Sequence, residues 1–249
     1  MRNFVVFPVA ALLLLSGCAA TQGPPTKADP FESFNRASFA FNDTVDGAVL
    51  KPIAKGYVAV TPGFVRTGVS NAFGNVSDVK SAVNNLLQGN PGKALSDTGR
   101  VLANTFLGIF GLWDVATPMG LQKHDEDFGQ TLGKWGVGSG PYLVLPLLGP
   151  STVRDSVARI PSRYVEYQFH VDHTATANAL FITDIVNTRA NLLPAEETLN
   201  TAALDKYVFL RDAYLQRRLR QVHDGKVPTE KLDELEESLE RPAAKPAGK

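Results

Sequence analysis

The sequence predicts a largely helical, all-α fold. Apolar residues recur at three-and-four spacing through several long segments, and Gly and Pro residues end those segments. No stretch alternates apolar and polar residues convincingly enough for a sheet, and no internal repeat stands out. The 249 residues permit one large domain or two small ones. They are enough to bury a core without disulfides or metals. Lys+Arg and Asp+Glu both total 25, which argues against a nucleic-acid binder with a concentrated basic face. The charged fraction, 20%, is slightly below the roughly 25% of ordinary soluble domains, which fits a protein with part of its surface out of water.

The first segment, 1–17, reads as a targeting peptide. Arg2 supplies a positive start, and Phe4 to Leu15 is apolar but too short for a membrane span. It ends in Leu15-Ser16-Gly17-Cys18, the pattern of a bacterial lipobox, in which the cysteine is acylated and becomes the new N-terminus. An ordinary signal peptide that happens to contain a cysteine is the plainer alternative. Cys18 is the only cysteine, which removes disulfides, a thiol nucleophile and cysteine-ligated zinc from consideration. Ala19 and Ala20 follow with no Asp at the second position, which resembles the sorting signal for the outer membrane. Residues 18–28 read as a tether.

Phe31, Phe34 and Phe41 then fall on one helical face, as core or as membrane contact. Val69 to Leu87 carries apolar residues at amphipathic spacing, with Ser70, Asn71, Lys80 and Asn84 among the polar positions and Gly74 as a possible break. Gly89-Asn90-Pro91 stops it, and Pro91 suits the first turn of a second helix carrying Leu95, Leu102, Phe106 and Ile109. That helix runs into an apolar stretch ending at Trp113, a residue suited to a core or to a headgroup interface.

The segment from Asp127 to Asp155 is built differently. Phe128, Leu132 and Trp135 lie at helical spacing before a break at Gly136, Gly138 and Gly140. Pro141 and Gly149-Pro150 then fence an apolar run that includes Leu143, Leu145, Pro146 and Leu147. Pro146 removes a donor, so neither a regular helix nor a central strand is expected there. The run can be a buried plug or a mobile apolar hairpin meeting lipid. Beyond it, Ser151 can cap a short helix with Arg154, Asp155 and Arg159. Helices are expected at about 174–193, ending before Pro194, and at about 202–223, with Arg217, Arg218 and Arg220 suiting its C-terminus or, alternatively, meeting anionic headgroups or a partner. The folded domain is taken as 29–225. Residues 226–249, rich in Pro, Ala, Glu and Lys, are expected to be disordered.

No catalytic constellation emerges. Ser139 lies outside a nucleophile elbow, and alternating glycines are weak evidence for a phosphate cradle. His170 with His173, or the His124-Asp125-Glu126-Asp127 run, lacks a further ligand at metal-site spacing. No catalytic residue, metal or cofactor is therefore expected.

Several ordered blocks carry a resemblance. Asp29-Pro30-Phe31-Glu32-Ser33-Phe34-Asn35-Arg36 with Phe39, Phe41 and Asn42 is the first, and Asn84-Asn85-Leu86-Leu87-Gln88-Gly89 the second. Arg100 to Gly108, the Gly-rich apolar stretch, and Arg211 to Arg218 complete them. Together they resemble the MlaA (VacJ) lipoproteins across about 29–225. The resemblance implies a ring of amphipathic helices lying in one membrane leaflet around a central channel, with no transmembrane helix. It implies that phospholipids misplaced in the outer leaflet pass through that channel to a soluble periplasmic, MlaC-like lipid carrier, with the protein bound to a trimeric porin at the periplasmic face of the outer membrane. On this expectation Asn84, Arg100 and Asn104 are available to line a wet passage. Gly136, Gly138, Gly140, Pro141, Leu143, Leu145, Pro146 and Leu147 would form a gating hairpin. A structural or scaffold lipoprotein without lipid passage is the alternative.

Overall fold

The computed structural model describes residues 25–162, 165 and 171–240. The targeting peptide, Cys18 and residues 241–249 lie outside these. Among the described residues the elements up to residue 222 are α1 (Glu32–Val45), a π-helical turn (Asp46–Leu50), α2 (Lys51–Val60), α3 (Gly63–Leu87), α4 (Pro91–Phe106), α5 (Phe128–Lys134), β1 (Tyr142–Leu145), β2 (Gly149–Thr152), α6 (Val153–Ser162), α7 (Thr174–Ala202) and α8 (Lys206–Val222). A final helix, α9 (Thr229–Leu239), follows. Among the described residues no helix is long and apolar enough to cross a membrane.

α3 and α4 are the two helices that the spacing predicts, packed as an antiparallel pair hinged at Gly89, whose φ of 75° suits glycine. α3 is not broken at Gly74. Tertiary contact overrides the roughly 1 kcal/mol that a mid-helix glycine costs, because a Cβ there would come within 2.8 Å of the Lys123 ammonium. α4 ends at Phe106, earlier than the apolar pattern suggests, and the chain turns with Ile109 and Phe110 both at positive φ.

The Pro- and Gly-fenced run is a hairpin. Tyr142 pairs with Thr152 and Leu145 with Gly149, so four of its residues do form a strand, contrary to the sequence expectation. Pro146 falls in the turn, where its missing N–H costs no ladder bond. Thr152, rather than Ser151, supports the start of α6 by accepting from the Asp155 N–H at 3.2 Å.

Two further corrections concern the C-terminal half. α7 continues through Pro194 to Ala202 rather than ending before the proline. The stretch 229–239, expected to be disordered, is helix α9, with Leu235 and Leu239 one turn apart against the apolar cluster of Tyr142, Val144, Tyr207 and Leu215. Two apolar residues on one face are sufficient to dock a short, otherwise charged helix. The end of the expected tether is docked as well. The Ala28 N–H donates to Ser238 O at 3.0 Å, the Tyr142 N–H donates to Ala28 O at 2.9 Å, and Lys27 pairs with Glu237.

Candidate lipid-facing site

The packing of α1 shows how the site is built. Its buried face is Glu32, Asn35 and Ser38, while Phe31 and Phe41 of the aromatic stripe are exposed. The same inversion runs through the other helices. α3 buries Asn75, Asp78, Ser81, Asn84 and Asn85, and α4 buries Asp97, Arg100 and Asn104. Outside stand Phe64 at 79%, Leu95 at 74%, Phe106 at 77% and Phe110 at 82% exposure, with Trp113 and Ile160. An exposed leucine alone means little. Apolar surface repeated along successive helices is the signature of a lipid or protein contact.

The polar interior is hydrogen-bonded in three clusters. In the first, Arg100 donates to Asp78 (3.0 Å), Thr117 Oγ1 (3.0 Å), Leu121 O (2.8 Å) and Asp114 (3.2 Å). Asn104 Oδ1 accepts from the Val115 and Ala116 N–H groups at 2.8 and 2.9 Å. These bonds tie the irregular 107–126 segment to the α3–α4 pair. Asn84 accepts from Thr131 Oγ1 at 2.8 Å and donates to Lys80 O. Asn84, Arg100 and Asn104, candidates for lining a wet passage, are 1–3% exposed and committed to protein partners. They brace the fold. Their polarity was legible, but it is satisfied internally because desolvated polar groups need partners.

The second cluster centres on Arg218, whose guanidinium takes Asp127 through two bonds of 2.6 Å and Asp155 at 2.8 and 3.0 Å. Tyr214 also donates to Asp155, at 2.9 Å. Burial pushes the Asp127 carboxyl up, but the Arg218 hydrogen bonds and charge outweigh it and hold it at about 2. A Cβ on Gly129 would lie 2.4 Å from both Arg218 and Asp155, so only glycine lets α5 approach this cluster.

The third cluster fixes the hairpin. Asn35 donates to Tyr142 O (3.0 Å) and Asp29 (2.7 Å) and accepts from the Val144 N–H (2.8 Å). Ser38 donates to Val144 O at 2.7 Å. Asn42 donates to Leu145 O and accepts from the Leu147 N–H, at 3.0 and 2.7 Å. One polar face of α1 thus acts as a third strand beside β1. The candidate hairpin residues consequently divide. Leu143 and Leu145 are half-buried on the pinned strand, whereas Leu147, at φ 63° and 71% exposed, projects from the turn beside Pro146. Gly136 and Gly138 line a cavity of about 500 Å³ shared with Arg154, Leu219 and Leu235. Gly140 and Pro141 connect that loop to β1, Gly140 at φ 64°.

Two adjoining cavities lie between the helices. One, of about 520 Å³, is lined by Ser70, Phe73, Val76 and Ser77 of α3, by Lys123, and by Asp184, Asn187 and Asn191 of α7. The other, of about 330 Å³, is lined by Asp127, Pro150, Asp155, Arg159, Tyr214 and Arg217. Lys80 and Asp125 border both. The lining mixes cations, amides and hydroxyls with apolar carbon, so it can take an amphiphile. Sequence reading passed over Lys80 because it counted only as a polar position on an amphipathic helix. The signal was its charge on a helix whose other polar residues are mostly Ser and Asn. Among the described residues, no group of three or more His, Cys, Asp or Glu is arranged to hold a metal ion.

A family model described as MlaA lipoprotein matches residues 27–221. A protein of Escherichia coli K12 called intermembrane phospholipid transport system lipoprotein MlaA is 34% identical over 212 residues, 82% of each chain. The protein of that name from Haemophilus influenzae is 31% identical over 242 residues, 94% of each chain. An uncharacterised protein of Rickettsia bellii is 38% identical over 194 residues, 76% of this chain and 75% of its own. A structure reported as the structural basis for maintenance of bacterial outer membrane lipid asymmetry superposes with a TM-score of 0.68 at 34% identity, covering 78% of this chain and 98% of the other.

Proposed function

The chain belongs to the MlaA lipoprotein family, and from that premise we propose that it is the outer-membrane lipoprotein of an intermembrane phospholipid transport system. It removes phospholipids misplaced in the outer leaflet and so maintains lipid asymmetry. In this reading the amphipathic helices lie as a ring in the periplasmic leaflet and are anchored through acylated Cys18 after removal of residues 1–17. The lipid passes between the helices to a soluble periplasmic carrier, with the protein seated on a trimeric porin. No bond is made or broken in the lipid, so the role needs no catalytic group or cofactor.

The observation that carries the reading is the inverted packing. Exposed Phe64, Leu95, Phe106 and Phe110 surround buried Asn, Asp and Arg residues. In lipid there is no hydrophobic drive between helices, and polar contacts inside the bundle hold it together instead. The cavities bordered by Lys80 and Asp125 offer a headgroup a polar environment beside apolar carbon for its chains. The hairpin turn at Leu147 and Leu148, both exposed, is the part best placed to touch acyl chains as the lipid enters. The loop at Gly136 and Gly138, where a Cβ would meet nothing, has room to move.

The test is transfer of labelled phospholipid from vesicles holding the acylated protein and its porin to the purified carrier. Flux that depends on the protein is expected, and a photo-crosslinker at Leu147 should label phospholipid. A preparation that binds membranes and porin normally but moves no lipid would make it a scaffold lipoprotein. Released fatty acid would make it an enzyme.

A further inference from the structure

We infer that Lys80, Arg159 and Arg217 form a binding station for the phosphodiester of the travelling phospholipid at the junction of the two cavities. This assignment rests on the transport reading and adds a headgroup contact to it. The three cations come from three different helices, α3, α6 and α8, and all line the 330 Å³ cavity. Lys80 also lines the 520 Å³ cavity, so it stands between the two spaces.

Charge commitment separates Lys80 from an ordinary solvated face, while Arg159 and Arg217 are exposed. The acids deepest in the smaller cavity are already matched: Asp127 binds Arg218 at 2.6 Å, and Asp155 binds Arg218, Arg154 and Tyr214 at 2.8 to 3.0 Å. Asp125 is the remaining acid, exposed and 3.5 Å from Arg217. Lys80 and Arg159 make no side-chain hydrogen bond or ion pair to any described residue. The half-buried Lys80 acts on Asp127 only through space and has no contact ion partner among the described residues, and it lies beside two exposed guanidinium groups able to take phosphate oxygens. A phosphodiester carries one negative charge at every physiological pH and is common to glycerophospholipids that bear a headgroup alcohol, so the station would accept that class without choosing among the alcohols. Ala158 and Pro150 on one side, and Phe73, Val76 and Val165 on the other, give apolar contact next to the charge.

The test uses full-length acylated protein with its porin and two phospholipids, one with a diazirine on the headgroup and one with it on an acyl tail. Headgroup adducts should map to the Lys80–Arg159 cavity. The double variant Lys80→Gln/Arg159→Gln should lower that adduct and the lipid flux about tenfold or more, the loss of at least one charge-assisted bond. Tail adducts, porin binding and melting temperature should stay unchanged. Lys80→Arg should restore most of the flux. Headgroup adducts elsewhere, or equal yield and flux from the double variant, overturn the assignment. If inorganic phosphate abolishes the headgroup adduct while flux ignores the double variant, the cavity is a free-ion site, which also overturns it. Wild-type protein that moves no lipid at all sinks the transport reading, and the station falls with it.

Discussion

Asn35 concentrates the logic of the fold in one side chain. Fully buried, it joins Asp29 to two backbone groups of β1. The Asn35→Ala variant strips the Val144 N–H and Tyr142 O of partners in a buried place. A loss of about 2–4 kcal/mol is expected in chemical unfolding in detergent. Asp127 offers a second test at this scale. Its folded carboxyl is lowered from 3.8 to about 2, so its contribution is complete above its ordinary value and is lost as pH falls toward 2. Asp127→Asn should be less stable at neutral pH and show a shallower loss on acidification between pH 4 and 2, followed by circular dichroism.

Among the elements, periodicity made α3, α4, α7 and α8 legible. Val69 to Leu87 and the residues after Pro91 repeat as helices do. What periodicity cannot supply is which face turns inward. The same pattern describes Phe31 and Phe41 as core or as surface, and the decision lies in Asn35, Ser38 and Asn42, whose role needs a strand over 100 residues away. The cations of the proposed station were less legible still, although Arg217 stood in a basic cluster whose alternative reading was contact with anionic headgroups. Lys80, Arg159 and Arg217 share no local pattern and meet only through tertiary packing, whereas Asn84, Arg100 and Asn104 were noticed but belong to the bracing. α9 was hidden by its composition, since Leu235 and Leu239 are few among Glu and Lys. Truncation after Gly225 removes their packing on the Tyr142–Tyr207 cluster and the Ser238 partner of Ala28. A loss of about 1–3 kcal/mol and faster proteolysis near residues 25–28 should follow, measured by thermal melting and limited digestion.

At the scale of the molecule, membrane attachment should not rest on an acyl chain alone. A protein beginning at Pro25 still exposes Phe64, Leu95, Phe106, Phe110 and Ile160, so it should float with liposomes and need detergent to stay monodisperse. A monodisperse species in plain buffer that ignores liposomes would defeat the in-plane arrangement. Among the described residues, the apolar exterior rests on a framework of hydrogen bonds and ion pairs, with a small aromatic and aliphatic cluster at the hairpin. Burial of greasy side chains therefore contributes less to holding this architecture than it does in a soluble domain.

That separation of framework from exterior has a practical corollary for protein engineering. In most proteins, repainting apolar residues as charged ones wrecks the structure. Here Phe64, Leu95, Phe106 and Phe110 are 74–82% exposed and lie outside the buried apolar cluster, and converting them to Lys and Glu removes no side-chain hydrogen bond. The repainted molecule should keep its helices and its Arg100 and Arg218 networks while becoming free of detergent, a water-borne replica whose cavities can be titrated with short-chain phospholipids in an ordinary cuvette.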